Sequence, residues 1–561
     1  MRSKKTIVYI LTVVFLAIAL FVGYIEVEWK SFPFSVVLST DDGREQIQCW
    51  KKVPDTFYVF LPGYADLSQA RLKTNRFHEV YVNGELLQNG MTCEDFSLNV
   101  PLDMAYTNGG EVYHQTLIFT QSANVATMYI DVSSGSMDYI HEKKGNEETG
   151  VMRLYTADGA LQYRGELESI RGRGNATWED EKKPYSLQLS QEADLLGLGT
   201  ASKWILLSNS GDSSHLRNRI SFDLAEAVNL PYTPQCTWTD VYLNGEYAGL
   251  YVLCESNEVH PQRVDIDPNS SFLVSIEPEW RLQMQGYTYI VSDSEVALRI
   301  HQSAMQADTV RQIWQSAENA ILAEDGIDPV TGKRWDELID VDSWVRKYLI
   351  EEIFANEDSC VASEFFFYEA ADGKIYAGPI WDMDVILSAG SLQCMSPSAI
   401  LAGRPHLWSE TDSPLFYALL QKREFHDKMV VLYRQEFYPL LTQLIDSGLE
   451  QYAQQTAQAA AVNQMRWPAG DAGDAVDAMR TFLVERMRFL DDYWIHQESY
   501  YLVQVQYGGI WAFAVRPGEI LDYLPDFEGE QWYMADTNQL FDKTVPVTQD
   551  IRIYTKQISW K

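Results

Sequence analysis

Residues 356–384 read NEDSCVASEFFFYEAADGKIYAGPIWDMD. The stretch opens on an acidic cluster, Asn356, Glu357 and Asp358, and runs through the apolar segment 365–368. It turns at Asp372-Gly373 and returns through a second apolar run, 375–380, to Trp381-Asp382-Met383-Asp384. Two such runs joined by a Gly-containing turn predict a β-hairpin. A hairpin brings its ends together, so Asp358 and Asp382 are expected near each other at one end of two apolar strands. Carboxylates held that close repel unless a proton or a cation sits between them. A hard divalent ion with oxygen ligands suits such a place, and Mg2+ commonly arrives with a phosphate. A plain hairpin with acidic, solvated ends fits the same spacing.

Outward from this stretch, size and composition set limits. A chain of 561 residues predicts several domains. Its 46% hydrophobic and 13% aromatic content is enough for buried cores and excludes disorder over most of the length. With 44 basic against 79 acidic residues the net charge is −35. That argues against a nucleic-acid partner, which needs a basic footprint, and fits a soluble, self-repelling ectodomain. At the start, MRSKK is basic and residues 6–25 carry no charge, a length that spans a bilayer as a helix. The basic flank before it and the acidic EVEW after it place the N-terminus inside and the bulk of the chain outside the cytoplasm. No small-residue cleavage site follows Ala19, so a single-pass anchor is expected in the cell membrane rather than a cleaved signal. The six cysteines form no C-x-x-C and no zinc spacing. A Cys49–Cys93 disulfide and buried free thiols both remain open.

The chain then divides by texture. Residues 1–25 are the anchor, and 34–121 alternate in short runs (FSVVLST, TFYVFLP, HEVYVNG, QTLIFTQ) as a β-sandwich-like module. Residues 122–498 mix strands with helices at 216–228, 302–325, 342–355 and over most of 412–498. Within them TDVYLNGEYAGLYVLCES reads as a hairpin turning at Asn244-Gly245. Residues 499–561 return to strands as a small separate module.

Two further stretches carry candidate chemistry. In 170–189, IRGRGNATWEDEKKPYSLQL, the cations Arg171, Arg173, Lys182 and Lys183 flank Gly172 and Gly174. Glycine lets backbone approach an anion, and Arg and Lys supply charge-assisted donors. A basic turn between strands accounts for the pattern equally. In 209–219, NSGDSSHLRNR, Asp212 or Ser213 is placed to cap a helix that begins near Arg217, Asn218 and Arg219. Such a helix start is a ready anion site, and a capped amphipathic helix needs no ligand at all. No G-x-S-x-G and no paired glutamate motif supports a hydrolase.

Taken together, RGRGNATW (171–178), KKPYSLQL (182–189), SKWILLSN (202–209), DSSHLRNRISFDLA (212–225), VYLNGEYAGLYVLCE (241–255), NEDS (356–359) and GPIWDMD (378–384) resemble the CotH family, the spore coat protein H-like atypical protein kinases. The resemblance implies an α+β, highly diverged protein-kinase-like domain over 122–498. It implies ATP with Mg2+ or Mn2+ and transfer to Ser or Thr of proteins. By position, Lys182 or Lys183 would contact the ATP phosphates, with Arg171, Arg173, Asn209 and Arg217 on the same cofactor side. Asp358 would be the catalytic residue, Asp382 the metal ligand and Asp384 its support. Where members commonly have Asn after the first Asp, this chain has Ser363 and Glu364, so Glu364 is a candidate third metal ligand. The same departure keeps open a non-catalytic surface or coat protein as the alternative. Finally, DKTVPVTQDIRIY (542–554) is similar to the closing motif of the InlB B-repeat (Listeria–Bacteroides repeat), implying a small β-grasp-like module. The expected whole is multidomain: a transmembrane helix, an all-β sandwich-like module, a kinase-like domain and a β-grasp-like module.

Overall fold

Short alternating runs, each apolar on one face, make the first part of the protein a set of sheets. The computed structural model describes residues 33–40, 43–52, 54–75, 78–108, 110–356, 358–359, 361–387, 396–404, 413–506, 510–521, 524 and 531–555. Strands β1 (Phe34–Thr40), β2 (Gly43–Gln48) and β5 (Arg71–Thr74) form one sheet in the order β2-β1-β5. Strands β3 (Trp50–Lys52), β4 (Thr56–Leu61), β6 (Val80–Val82), β7 (Glu85–Leu86), β8 (Leu102–Asn108) and β9 (Glu111–Gln121) form a second, β3-β4-β9-β8-β6-β7, in which β4 and β9 run parallel. Val36, Val59, Phe60, Leu117 and Phe119 are wholly buried.

Seven strands then close into a barrel: β10 (Ala126–Val132), β11 (Glu147–Tyr155), β12 (Leu161–Gly172), β13 (Tyr185–Asp194), β14 (Thr200–Leu207), β15 (Cys236–Leu243) and β16 (Glu246–Glu255), ordered β10-β11-β12-β13-β14-β16-β15. The β15–β16 turn takes the left-handed conformation that Asn-Gly favours, with φ of 51° at Asn244 and 83° at Gly245. After the barrel, β17 (Phe272–Ile276), β18 (Tyr289–Val291), β19 (Ala297–Gln302), β20 (Glu364–Glu369) and β21 (Lys374–Ala377) form the sheet β18-β19-β17-β20-β21. The helices Arg217–Ala227, Ala307–Leu322, Val341–Ile353, Leu449–Arg466 and Ala472–Leu490 carry most of the remaining core. By contacts the chain divides into two compact units: Met1–Asp138 with Gly150–Gly165 and Asp240–Gly249, and Tyr139–Thr149 with Glu166–Thr239 and Leu250–Lys561.

This architecture corrects the expected one in two places. The kinase-like domain is not a simple α+β layer, because 126–255 close into a barrel. Nearly every residue of β15 and β16 is buried, on both faces, which a one-sided hairpin would not permit. The C-terminal module is not self-contained. Strands β22 (Ala399–Ile400), β23 (Tyr501–Gln506), β24 (Ile510–Val515), β25 (Trp532–Met534) and β26 (Ile551–Thr555) form one sheet, β22-β24-β23-β26-β25, so its edge strand comes from a distant part of the chain. The expected membrane helix at 6–25 lies outside the described residues, and among the described residues no helix is long and apolar enough to cross a membrane. Cys49, Cys93, Cys236 and Cys254 are buried free thiols, while Cys360 and Cys394 lie outside the described residues.

Candidate functional site

The hairpin read from 356–384 is β20 and β21, paired with Phe366 opposite Ala377 and Glu369 opposite Lys374. Its open end carries the carboxylates. Ser363, just before β20, takes a left-handed φ of 58° and donates from Oγ to Asp382 Oδ2 at 2.9 Å. Asp382 is itself left-handed, at φ 61°. Non-glycine residues rarely hold this conformation, and two of them facing each other mark a loop fixed by its surroundings.

The fixing groups come from two helices. Asn218, in Arg217–Ala227, accepts at Oδ1 from the Met383 N–H at 3.1 Å. Arg217 donates from Nε to the Ile386 carbonyl at 2.9 Å, and its Nη1 is paired with the fully buried Asp212. Asp212 also accepts from the Arg217 N–H at 3.0 Å and the Ser214 N–H at 3.0 Å. The helix start is thus satisfied by Asp212, while the residue at the cap, Leu216, has no side-chain bond and Ser213 is not the cap. The Leu387 N–H reaches the Phe354 carbonyl at 2.9 Å, tying the loop to the end of helix Val341–Ile353.

Asp358 is placed by a relay from that same helix. The Asp358 N–H bonds Asn356 Oδ1 at 3.2 Å, and Asn356 Nδ2 donates to Glu351 Oε2 at 2.5 Å. Glu351 lies with Lys347 and Glu364 in one buried cluster, with Lys347 Nζ 2.8 Å from Glu364 and 3.7 Å from Glu351. Burial and the neighbouring Glu364 charge raise the Glu351 carboxyl to about 8, against the pull of Lys347. Glu364, expected to face a metal, is instead 2% exposed and engaged inside by Lys347.

Negative charge converges on Asp384. Burial, then Asp382, then Asp358 raise its carboxyl to about 7. Among the described residues no group of three or more His, Cys, Asp or Glu side chains is gathered to hold a metal as it stands. The donor chemistry nevertheless fits a hard divalent cation: Asp382, Asp384 and Asp358 are all oxygen ligands whose mutual repulsion a cation relieves.

The facing cation is Arg173. Its guanidinium lies 5.4 Å over the ring of Trp381, which stacks on Phe222 at 6.1 Å. Burial lowers the Arg173 pKa, and Asp382 and Asp384 oppose that loss. Arg171 is exposed at the end of β12. The two lysines of the basic stretch do not join it. Lys182 is 3% exposed and donates to the Leu250 carbonyl at 2.6 Å and to Asn463 Oδ1 at 2.9 Å. Lys183 donates to the Trp178 carbonyl at 2.5 Å and lies over that indole at 5.0 Å. Asn209 is buried in a left-handed turn beside Asn218, their side chains 3.5 Å apart, so it braces the helix start. Asn463 links Lys182 to His215, whose Nε2 is 3.3 Å from Asn463 Nδ2. Burial and then Lys182 hold His215 down to about 3, so it is neutral at pH 7.

Asn218 and Asn356 lie within stretches the sequence singles out, but their role in holding the loop does not show there, and nothing in the local pattern distinguishes Glu351 from an ordinary helix residue. A family model described as CotH kinase protein matches residues 170–490, more than half of the chain and the whole of this site. No curated protein matches the chain.

Proposed function

Because the chain belongs to the CotH kinase family, we propose that it is an atypical protein kinase that transfers the γ-phosphoryl group of ATP to Ser or Thr hydroxyls of protein substrates. The observation that carries this reading is the braced loop 382–384, where the Ser363 hydroxyl holds Asp382 at 2.9 Å and Asn218 holds the Met383 N–H at 3.1 Å between the two aspartates. Burial, Asp382 and Asp358 push the Asp384 carboxyl up, in the direction expected where a cation would relieve their repulsion. Asp382 and Asp384 would hold Mg2+ or Mn2+, which, when bound, neutralises charge on the nucleotide phosphates.

The remaining work falls to the chain's own groups. Ser363 orients Asp382 through its hydroxyl. Asp358, fixed by Asn356 and Glu351, receives the proton of the attacking hydroxyl. Arg173 over Trp381 supplies a charge-assisted donor to phosphate oxygens, with Arg171 on the open rim. Arg217 and Asn209 act by holding the loop, and Lys182 and Lys183 stay with their internal partners. The location that goes with this reading, at the cell membrane with the bulk of the chain outside the cytoplasm, rests on the charge pattern of the first thirty residues alone.

A second reading is a kinase fold kept for binding surface or coat proteins without turnover. Lys182 and Glu364 favour it, since both point inward to protein partners rather than to a ligand. The resemblance of 542–554 to a surface-protein repeat also suits it. Label transfer from γ-labelled ATP with Mg2+ or Mn2+ separates the two. Transfer to the protein or to a Ser-rich acceptor, lost in Asp382→Ala and Asp358→Ala, supports the kinase. No transfer with either metal moves the account to the binding protein.

A further inference from the structure

Strand β17 lies antiparallel to β20 with Ile276 opposite Glu364. Glu277 is the residue that follows Ile276 out of β17, and Ser363 is the residue that precedes Glu364 into β20, its hydroxyl holding Asp382 at 2.9 Å. Glu277 therefore leaves an apolar strand beside the carboxylate loop. Its backbone N–H is fixed by the Ala297 carbonyl at 3.1 Å. Its Oε2 meets Arg281 Nη1 at 2.9 Å, four residues on and in the short helix Glu279–Gln285. The two side chains are 11% and 19% exposed, so this pair is largely removed from water yet open at one side. Burial raises the Glu277 carboxyl and Arg281 opposes the rise, while Asp382 adds to it. Burial, and then Arg281 and Arg173, depress Lys144, which donates to the Gly174 carbonyl of the basic turn.

We propose that Glu277 and Arg281 belong to the phosphoryl-transfer site, Glu277 as a further carboxylate on the metal side and Arg281 as a second guanidinium for the nucleotide phosphates. The inference rests on the kinase reading above. A guanidinium already paired to one carboxylate by a single contact can exchange it for a phosphate, which offers it two oxygens and more charge. Glu277, released from Arg281, is then an anionic oxygen ligand beside Asp382. The pair serves as an internal stand-in that keeps each group compensated until metal and nucleotide arrive together.

The test is calorimetric titration of the full chain with Mn2+ alone and with Mn2+ plus ADP, for wild type, Glu277→Gln and Arg281→Gln. The exposed-surface variant Arg423→Gln serves as reference. Glu277→Gln is expected to weaken Mn2+ binding about tenfold or more. Arg281→Gln is expected to leave Mn2+ alone unchanged or tighter and to weaken Mn2+ plus ADP by about tenfold. Far-UV circular dichroism reports whether each variant folds, and Glu277→Asp replaces Glu277→Gln if it does not. Wild-type affinities retained in both variants would overturn this assignment and leave the kinase reading standing. A wild-type chain that binds neither titrant would overturn both.

Discussion

Glu351 offers the sharpest quantitative consequence of the structure. Its carboxyl is wholly buried between Lys347 and Asn356, and burial together with Glu364 raises it to about 8. In the unfolded chain the same group ionises near 4.5. A raised carboxyl pKa favours the folded state fully below pH 4.5, and that contribution is lost as pH rises through 8. With a folded value near 8 and an unfolded value near 4.5, wild type loses about 2–3 kcal/mol from this group between pH 5 and pH 7. Glu351→Gln keeps the shape and an acceptor for Asn356 Nδ2 but cannot ionise. Its stability relative to wild type should therefore rise by about 2–3 kcal/mol from pH 5 to pH 7. Urea unfolding followed by tryptophan fluorescence reports this, since the buried Trp344 sits in the same helix. Groups common to both proteins cancel in the comparison. Parallel pH dependence in the two proteins would refute the reasoning and mean that Glu351 is ionised, sharing Lys347 with Glu364.

Three other outcomes follow from named contacts. Arg486 is fully buried and donates to the carbonyls of Pro397 and Ala399 at 2.6 Å each and to Glu352 Oε1 at 2.8 Å, so Arg486→Ala should cost about 3–5 kcal/mol in urea unfolding by stranding Glu352. His301 is pushed down to about 3 by burial and then by Arg299. Its contribution is present above the unfolded value near 6.5 and lost as pH falls toward 3, so His301→Gln should unfold with a pH slope about 1.4 kcal/mol per unit shallower between pH 6 and 4. Asn356→Ala removes both links between Glu351 and Asp358, and should lower label transfer at least tenfold while costing about 2–3 kcal/mol of stability; unchanged transfer would detach Asp358 from the reaction.

The parts of the fold legible in the sequence are those set by local pattern. Asp372-Gly373 and Asn244-Gly245 mark real turns, and the aromatic stripe through Trp344 and Tyr348 is a buried helix face. Barrel closure was not legible, because a strand buried on both faces and one buried on a single face share the same β-branched and aromatic vocabulary. Side-chain direction was less legible still. Lys182 and Lys183 are adjacent in a basic stretch, yet one turns inward to Leu250 and Asn463 and the other folds over Trp178. Glu364 follows the same logic: the cation that claims it, Lys347, comes from a helix seventeen residues upstream whose sequence advertises only amphipathicity. The sequence puts Asp212 beside the right helix, and the structure shows it acting from ahead of the first turn, through Arg217, rather than at the cap itself.

The central claim is that Asp382 and Asp384, beyond the open end of β20 and β21, hold a nucleotide-bound divalent cation. The most direct measurement is anomalous diffraction at the manganese edge from crystals grown with Mn2+ and ADP. The account predicts a manganese peak within ligand distance of Asp382 and Asp384, with the ADP phosphates toward Arg173. No manganese at these aspartates, or manganese and ADP bound together elsewhere on the protein, would contradict it.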